Sequence, residues 1–372
     1  MQQLSMVDID NIAHGAGILG TGGGGDPYIG RMLLAEEYRR GSVATLMDPD
    51  EVADDDLVVA SAFMGAPSVV MERIPSGDEA VEALRVLERH LGRTVTAIVP
   101  MECGGLNSMI PLLVAAKTGI PIVDADGMGR AFPELQMETF GVYGVSGSPI
   151  AICDDRGHSV LVDTGADNLS MERHARGVAI RMGGVAYIAE YPMSGSDLKR
   201  TAIPRTLTLA RSLGKAVTQA KSSGRSPLQA VIDSCTTSIY GHARLLLEGK
   251  VVDVARATSG GFVRGTAEIR AFDDSRSVEL SFQNEHLIAK EGDTVLAIVP
   301  DLISVLDTET GLAINTESLR FGQRVQVIGI ATPSIMRTPE ALDVFGPSAF
   351  GVEEPWVPLE NILVAGAVHR DA

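Results

Sequence analysis

Cysteine is scarce in this chain: Cys103, Cys153 and Cys235 stand far apart, with no CxxC pair. An odd, widely spaced set builds neither a disulfide framework nor a structural zinc site, and it fits reduced thiols in the cytoplasm. Histidine is sparse too, seven residues placed singly without HxH or HExxH, so the sequence supports no metal site. Basic residues are outnumbered, 31 Lys and Arg against 48 Asp and Glu, for a formal charge of −17. Phosphate neutralisation needs clustered cations, so nucleic acid is excluded as a partner. No apolar run reaches the roughly 20 residues of a membrane span, and no basic cluster marks a surface anchor. The N-terminal stretch MQQLSMVDIDNIAHGAGILG has no charged segment leading into an apolar core and does not read as a secretion signal. Aromatic residues make up only 4%.

Glycine is in excess, with 40 residues and no low-complexity repeat. Such a surplus marks tight turns and places where backbone must approach something closely. Hydrophobic residues at 45% and a length of 372 allow real cores and two domains. We expect an α/β protein: a mainly parallel N-terminal sheet with flanking helices, then a helical segment, then a β-rich C-terminal domain. The expected domains are residues 1–165, carrying the glycine-rich loops, and residues 166–372.

The N-terminal expectation rests on alternating texture. LVVASA (57–62) and TVTAIVP (94–100) are strand-length β-branched runs, and IPIVDAD (120–126) is another. Between them, DEAVEALRVLERHL (78–91) puts Val81, Leu84, Leu87 and Leu91 at helical spacing behind an acidic first turn. SMIPLLVAAKTG follows Asn107, a candidate cap, and ends at Gly119. Strand, helix, strand, helix, strand implies a parallel sheet with right-handed crossovers. NLSMERHARGVAIRMGG, IPRTLTLARSLGKAVTQAKSSG and SPLQAVIDSCTTSIYG then read as helical. From Lys250 onward short alternating strands, VVDVARAT, GFVRGTAEIRAF, SVELSFQNEHLIAK, TVLAIVPDLISVLD and RVQVIGIAT, suggest an antiparallel barrel or sandwich.

Ligands of an open parallel sheet bind beyond the carboxyl ends of its strands. FMGAP (63–67), PMECGGLN (100–107) and DADGMGRAFPE (124–134) should meet there. The loop GTGGGGDP adds Gly22, Gly23, Gly24 and Gly25, whose unshielded N–H groups can surround a carboxylate or a polar ring. The plain alternative is a turn between two helices. Glu102, projecting over the sheet edge, and Asp126, next to Gly127, are the candidate acid and base. Their plain alternative is acceptance of backbone N–H groups. Asn107, Asp124, Arg130 and Glu134 are candidate substrate-binding residues: Asn107 as donor or cap, Arg130 as a bidentate clamp for a carboxylate or as partner of Glu134. Asp124 and Asp126 alternate along an extended segment, so one should face the cleft. Cys103 reads as a small buried hydrophobe, because no histidine stands near it to activate a thiolate. His14, His242 and His286 read as packing or surface residues, although Asn284-Glu285-His286 could reach the cleft from the second domain.

The string PIVDADGMGRAFPELQMETF, with ILGTGGGGDPY and PMECGGLN, resembles the family first catalogued as domain of unknown function 917 and associated with S-methyl thiohydantoin desulfurase. The likeness continues through AIVPDLISVLDTETG and TESLRFGQRVQVIG to GPSAFG. It implies hydrolysis of an S-methylated thiohydantoin bearing a propionate arm, with release of methanethiol and a hydantoin. Hydantoinase and oxoprolinase systems, which handle related cyclic amides, are implied neighbours. On that reading the partner is a small cyclic amide, no cofactor is supported, Glu102 and Asp126 supply acid and base, and Arg130 holds the propionate. A homo-oligomer is expected from base rates alone.

Two other classes stay open on the residues. A nucleotide-binding oxidoreductase needs an acidic residue about 20 positions after the glycines, and Asp48 is available, although no strand precedes them. A non-catalytic partner or sensor subunit of a hydantoinase-type system suits the acidic surface.

Overall fold

Every residue of Leu57–Met64 is buried, and the side chains divide by parity. Leu57, Val59 and Phe63 join one apolar core, while Val58, Ala60, Ala62 and Met64 join another on the opposite face. A strand covered on both faces reads as a continuous apolar run, which is why LVVASA shows no polar alternation. The computed structural model describes residues 1–259 and 262–362. Gly261, the first residue of the expected strand GFVRGTAEIRAF, and residues 363–372 of the expected second domain lie outside the described residues.

In chain order the first ten strands are β1 (Gln2–Gln3), β2 (Thr45–Met47), β3 (Leu57–Gly65), β4 (Ala97–Pro100), β5 (Ile122–Val123), β6 (Ala125–Asp126), β7 (Ile150–Cys153), β8 (Ser159–Val162), β9 (Val185–Ser194) and β10 (Ile203–Pro204). Eight of them form one sheet in the order β1-β2-β5-β4-β3-β9-β7-β8, while β6 and β10 make a short antiparallel ribbon. The pairs β2–β5, β5–β4 and β4–β3 are parallel, as the strand–helix alternation implies. Antiparallel strands extend this parallel centre on both sides, so the sheet is mixed. The sheet also crosses residue 165, because β9 inserts between β3 and β7.

The helix Asp78–Leu91 packs Ala80, Ala83, Leu84 and Leu87 against the sheet and ends at Gly92 in the left-handed region. Asn168–Arg181 covers the other face with Met171, Ala175 and Ala179. The first helix, Met6–Leu19, starts at a Ser5–Asp8 capping box, and the glycine loop is a turn between two helices, as its plain alternative has it. It crosses Thr206–Ser222 closely: a Cβ on Gly15 would lie 1.8 Å from the Ala210 carbonyl oxygen, and one on Gly214 would lie 2.0 Å from that of Asn11.

The remaining strands are β11 (Ala243–Ser259), β12 (Phe262–Ala271), β13 (Ser277–Gln283), β14 (Glu285–Glu291), β15 (Thr294–Ile298), β16 (Leu302–Asp307) and β17 (Arg324–Ile330). They form a seven-stranded antiparallel sheet, β15-β14-β13-β12-β11-β17-β16, that curls so that β14 approaches β16. Its own core centres on Val251, Ile269, Leu280, Val305 and Val327. The start of β14 faces the end of the first helix, which brings the two halves of the chain together around the glycine loop.

Candidate active site

The glycine loop joins the helices Met6–Leu19 and Pro27–Arg39, the second capped by Asp26. No strand precedes it, so the strand–loop–helix context of a dinucleotide fingerprint is missing. Asp48 caps the turn Pro49–Glu51 and pairs with Arg205. Both halves of the chain hold the loop. Thr21 O accepts from His286 N–H at 2.8 Å, and Gly22 O accepts from Thr316 N–H at 2.8 Å. The Thr21 hydroxyl donates to Ile303 O and accepts from Ile303 N–H, each at 2.9 Å. Gly24 O accepts from Leu106 N–H at 2.8 Å. Gly22, Gly24 and Gly25 have positive φ, which any other residue adopts only with strain.

Beside this loop opens a cleft of about 660 Å³, its solvent-filled mouth included. The end of β3, the loop after β4 and the segment after β6 all reach it, through Phe63–Gly65, Met101–Glu102 and Phe132–Leu135. Of the candidate residues, Gly22 to Gly25, Glu102, Asn107 and Glu134 lie in its lining; Asp124, Asp126 and Arg130 do not. The C-terminal half contributes Val263, Asn284, Glu285 and Asn315–Glu317.

Glu102 is 2% exposed. Its Oε1 accepts from Asn107 Nδ2 at 2.7 Å, and its Oε2 has no partner among the described residues. Burial drives this carboxyl well above the usual range; Asn107 opposes that, while the charges of Glu285 and Asp126 add to it. Asn107 is fixed in turn by β3, accepting from Phe63 N–H at 2.8 Å and donating to Phe63 O at 3.2 Å. Its amide therefore orients Glu102 rather than capping the next helix.

Glu285 begins β14, after Asn284 at φ +59. Its Oε2 is buried and has no partner among the described residues. Burial pushes its carboxyl up to about 7, with the charges of Arg130 and Arg176 and the Gly24 N–H holding it lower. Arg176 lines the cleft from helix Asn168–Arg181, held by Glu172 at 2.7 Å and by Pro133 O at 2.8 Å, with its guanidinium 5.2 Å from the Phe262 ring centroid. Glu134, half-buried in the lining, accepts from Gln136 Nε2 at 2.5 Å.

The remaining candidates form the floor. Asp126 is fully buried; its Oδ2 accepts from the N–H groups of Cys103 and Gly129, both at 2.8 Å. Burial pushes it up to about 6 against those donors. It thus anchors the loop carrying Glu102 from beneath. Asp124 binds Thr208 through N–H at 2.9 Å and hydroxyl at 2.5 Å, closing the first turn of the helix Thr206–Ser222. Parity does not send either aspartate into the cleft, because the chain changes partners between β5 and β6. Arg130 is wholly buried and donates to backbone carbonyls of Ala131, His286, Pro300 and Asp301. It joins the two halves instead of facing the cleft.

Cys103 is buried and its thiol is pushed well up by burial, as a small core residue would be. His286 lies beneath Gly22 with Nδ1 3.0 Å from Ile303 O, and burial lowers its pKa to about 4. Glu285 and Arg176 are charged residues of the cleft lining that lie outside the candidate set. The signal for the first is QNEH, a polar interruption between the apolar runs VELSF and LIAK; the second has no signal beyond one arginine in a helix.

The chain matches two domain families, one described as S-Me-THD-like, N-terminal domain, over residues 7–164 and the other as S-Me-THD-like, C-terminal domain, over residues 166–359. A crystal structure of a protein from Chromobacterium violaceum is similar at 26% sequence identity with a TM-score of 0.80, covering 96% of this chain and 100% of that one. No curated protein matches the chain.

Proposed function

The chain belongs to the S-Me-THD-like family, and on that premise we propose that it hydrolyses a hydantoin- or S-methyl thiohydantoin-like cyclic amide in this cleft. One observation carries the reading. Glu102 and Glu285, contributed by different halves of the chain, are both buried in one lined cleft, each with an oxygen unpartnered. Two carboxyls whose surroundings differ in this way divide naturally into acid and base.

Glu285, raised by burial but held to about 7 by nearby guanidinium groups, is the base. It takes a proton from water as the water oxygen bonds to the ring carbon bearing the methylthio group. Glu102, kept protonated by burial, gives its proton to the ring nitrogen. The C–S bond then breaks as Glu285 passes the proton it took from water to the departing sulfur, and the new C–OH returns its proton to Glu102 as it becomes the ring carbonyl, so methanethiol leaves and both carboxyls are restored. Negative charge on the ring during attack meets the glycine backbone, where the N–H groups of Gly22 and Gly25 take no acceptor from the described chain. Arg176 is the cation of the lining and anchors a carboxylate arm of the substrate. Asn107 and Asp126 are positioning residues, the first through Glu102 and the second through the backbone of Cys103.

The deciding experiment measures methanethiol release from an S-methyl thiohydantoin carrying a propionate arm. Glu102→Gln and Glu285→Gln should each abolish most turnover while leaving the circular dichroism spectrum unchanged. Absence of turnover by the wild type, across hydantoin, S-methyl thiohydantoin and oxoproline rings, would count decisively against the proposal.

A further inference from the structure

Behind the cleft lie two carboxyl groups with nothing to hold them. Glu138 precedes the short turn Thr139–Val142 but does not cap it with its side chain. Glu190 stands in the middle of β9 opposite Ala60 of β3, just before Tyr191, which adopts φ +47 at a bulge. Both glutamates are wholly buried, and none of their four carboxyl oxygens has a hydrogen-bond partner in the described chain. Nearby charges give no relief. Asp126 from β6 and Glu102 from the loop after β4 bear on Glu138, and Glu172 from the helix Asn168–Arg181 bears on Glu190. The hydroxyl of Tyr191 is directed to Leu135 O. Arg176 is committed to Glu172 and Pro133 O, and Arg130 to backbone carbonyls.

An isolated buried carboxylate is too costly to keep, and such a group neutralises itself or gains a partner. Among the described residues, no three His, Cys, Asp or Glu side chains converge as a metal ion would require. We infer that Glu138 and Glu190 form a proton-bearing carboxyl pair beneath the cleft, uncharged in the folded protein, against which Asp126 can remain the anion that pins the Glu102 loop. The direction of their titration agrees. Burial first, then the charge of Glu190 on Glu138 and of Glu172 on Glu190, drives both above the ordinary glutamate value of 4.5. The pair contacts no substrate; it sets the charge of the floor on which the site is built. The inference goes beyond ring hydrolysis and stands independently of it.

The test uses the full chain and needs no substrate. Glu138→Gln, Glu190→Gln and the double variant are compared with the wild type by infrared spectroscopy and by melting temperature against pH. At about pH 7 the wild type should show the carbonyl band of protonated carboxylic acid, and the double variant should lose a clear part of it. Because the folded protein holds protons that the unfolded chain releases, the wild-type melting temperature should fall as pH rises above about 4.5, and the slope should be shallower in the variants. Should the double variant not fold, each single variant carries the same two readouts. An unchanged band together with an unchanged slope would overturn the inference. So would stabilisation of the wild type by sodium, potassium or magnesium chloride beyond choline chloride at equal ionic strength, if lost in Glu190→Gln, since that marks a bound cation.

Discussion

Gly23 and Glu285 touch across the boundary between the two halves of the chain: a Cβ on Gly23 would stand 1.9 Å from Glu285 Oε1 and 2.5 Å from its Cδ. Proximity dictates the glycine here, since Gly23, unlike its neighbours, does not have positive φ. Gly23→Ala should therefore destabilise the protein by overpacking, by about 1–3 kcal/mol in denaturant melts. In a Glu285→Ala background most of that loss should vanish. An equal loss in both backgrounds would show that the contact is not what constrains Gly23.

Glu285, pushed up to about 7, gives the proposed reaction a pH signature. kcat/KM should climb with pH through about 7 as this carboxyl ionises, then fall at higher pH as Glu102 loses its proton. Glu285→Gln should reduce kcat by about 10²–10⁴-fold and remove the acid limb. Stability carries the opposite sign. The folded pKa exceeds the unfolded value, so the contribution of neutral Glu285 is complete below about 4.5 and lost as pH rises through about 7. Glu285→Gln should flatten that part of the stability curve, as measured by denaturant melts at a series of pH values.

Arg130 offers a contrast between structure and chemistry. Removing it leaves buried carbonyls of His286 and Asp301 without their donor, a loss on the order of 3 kcal/mol for Arg130→Met. Arg130→Lys should recover only part of this, lacking the guanidinium fork. Because Arg130 also lowers the Glu285 pKa, any folded Arg130→Met protein should show its acid limb displaced to higher pH. A change in stability under about 1 kcal/mol would mean those carbonyls find other donors.

Arg176 should govern affinity for charged substrates. With an anionic ring substrate, Arg176→Met should raise KM about 10–100-fold with little change in kcat, the mark of binding equal in ground and transition states. With the same ring bearing a neutral amide arm, wild type and variant should have similar KM values. A comparable KM defect for both substrates would assign Arg176 a purely structural role.

The sequence exposes those parts of this molecule that depend on local repetition. The buried run of β3, the helix from Asp78 to Leu91 and the antiparallel C-terminal strands all follow from spacing and turn residues. The rule that ligands lie beyond parallel strands also leads to the cleft, because Glu102 and Asn107 lie in the segment after the parallel strand β4 and line it. What it does not expose is side-chain direction after a chain reversal. Arg130 sits in the right loop yet turns into the junction, and Asp124 and Asp126 leave the regular alternation when β5 gives way to β6. Glu285 is legible only in part: Asn284-Glu285-His286 reads as a stretch that could reach the cleft, but its closeness to the glycine loop depends on how the second sheet docks, which no local pattern encodes. The same holds for β9, whose apolar run lies far along the chain from the strands it joins.

The hydrogen bonds from residues 286, 303 and 316 to Thr21 and Gly22 have a consequence for inheritance. Joining one finished module to another would not by itself make this crevice, because its wall belongs to one half and its buckle to the other. A chimera that exchanges the C-terminal portion between relatives would swap a buried carboxyl and the clasp of the loop in a single step. Shifts in ring preference within such lineages should therefore follow the junction as a whole, with changes on its two sides arising in concert.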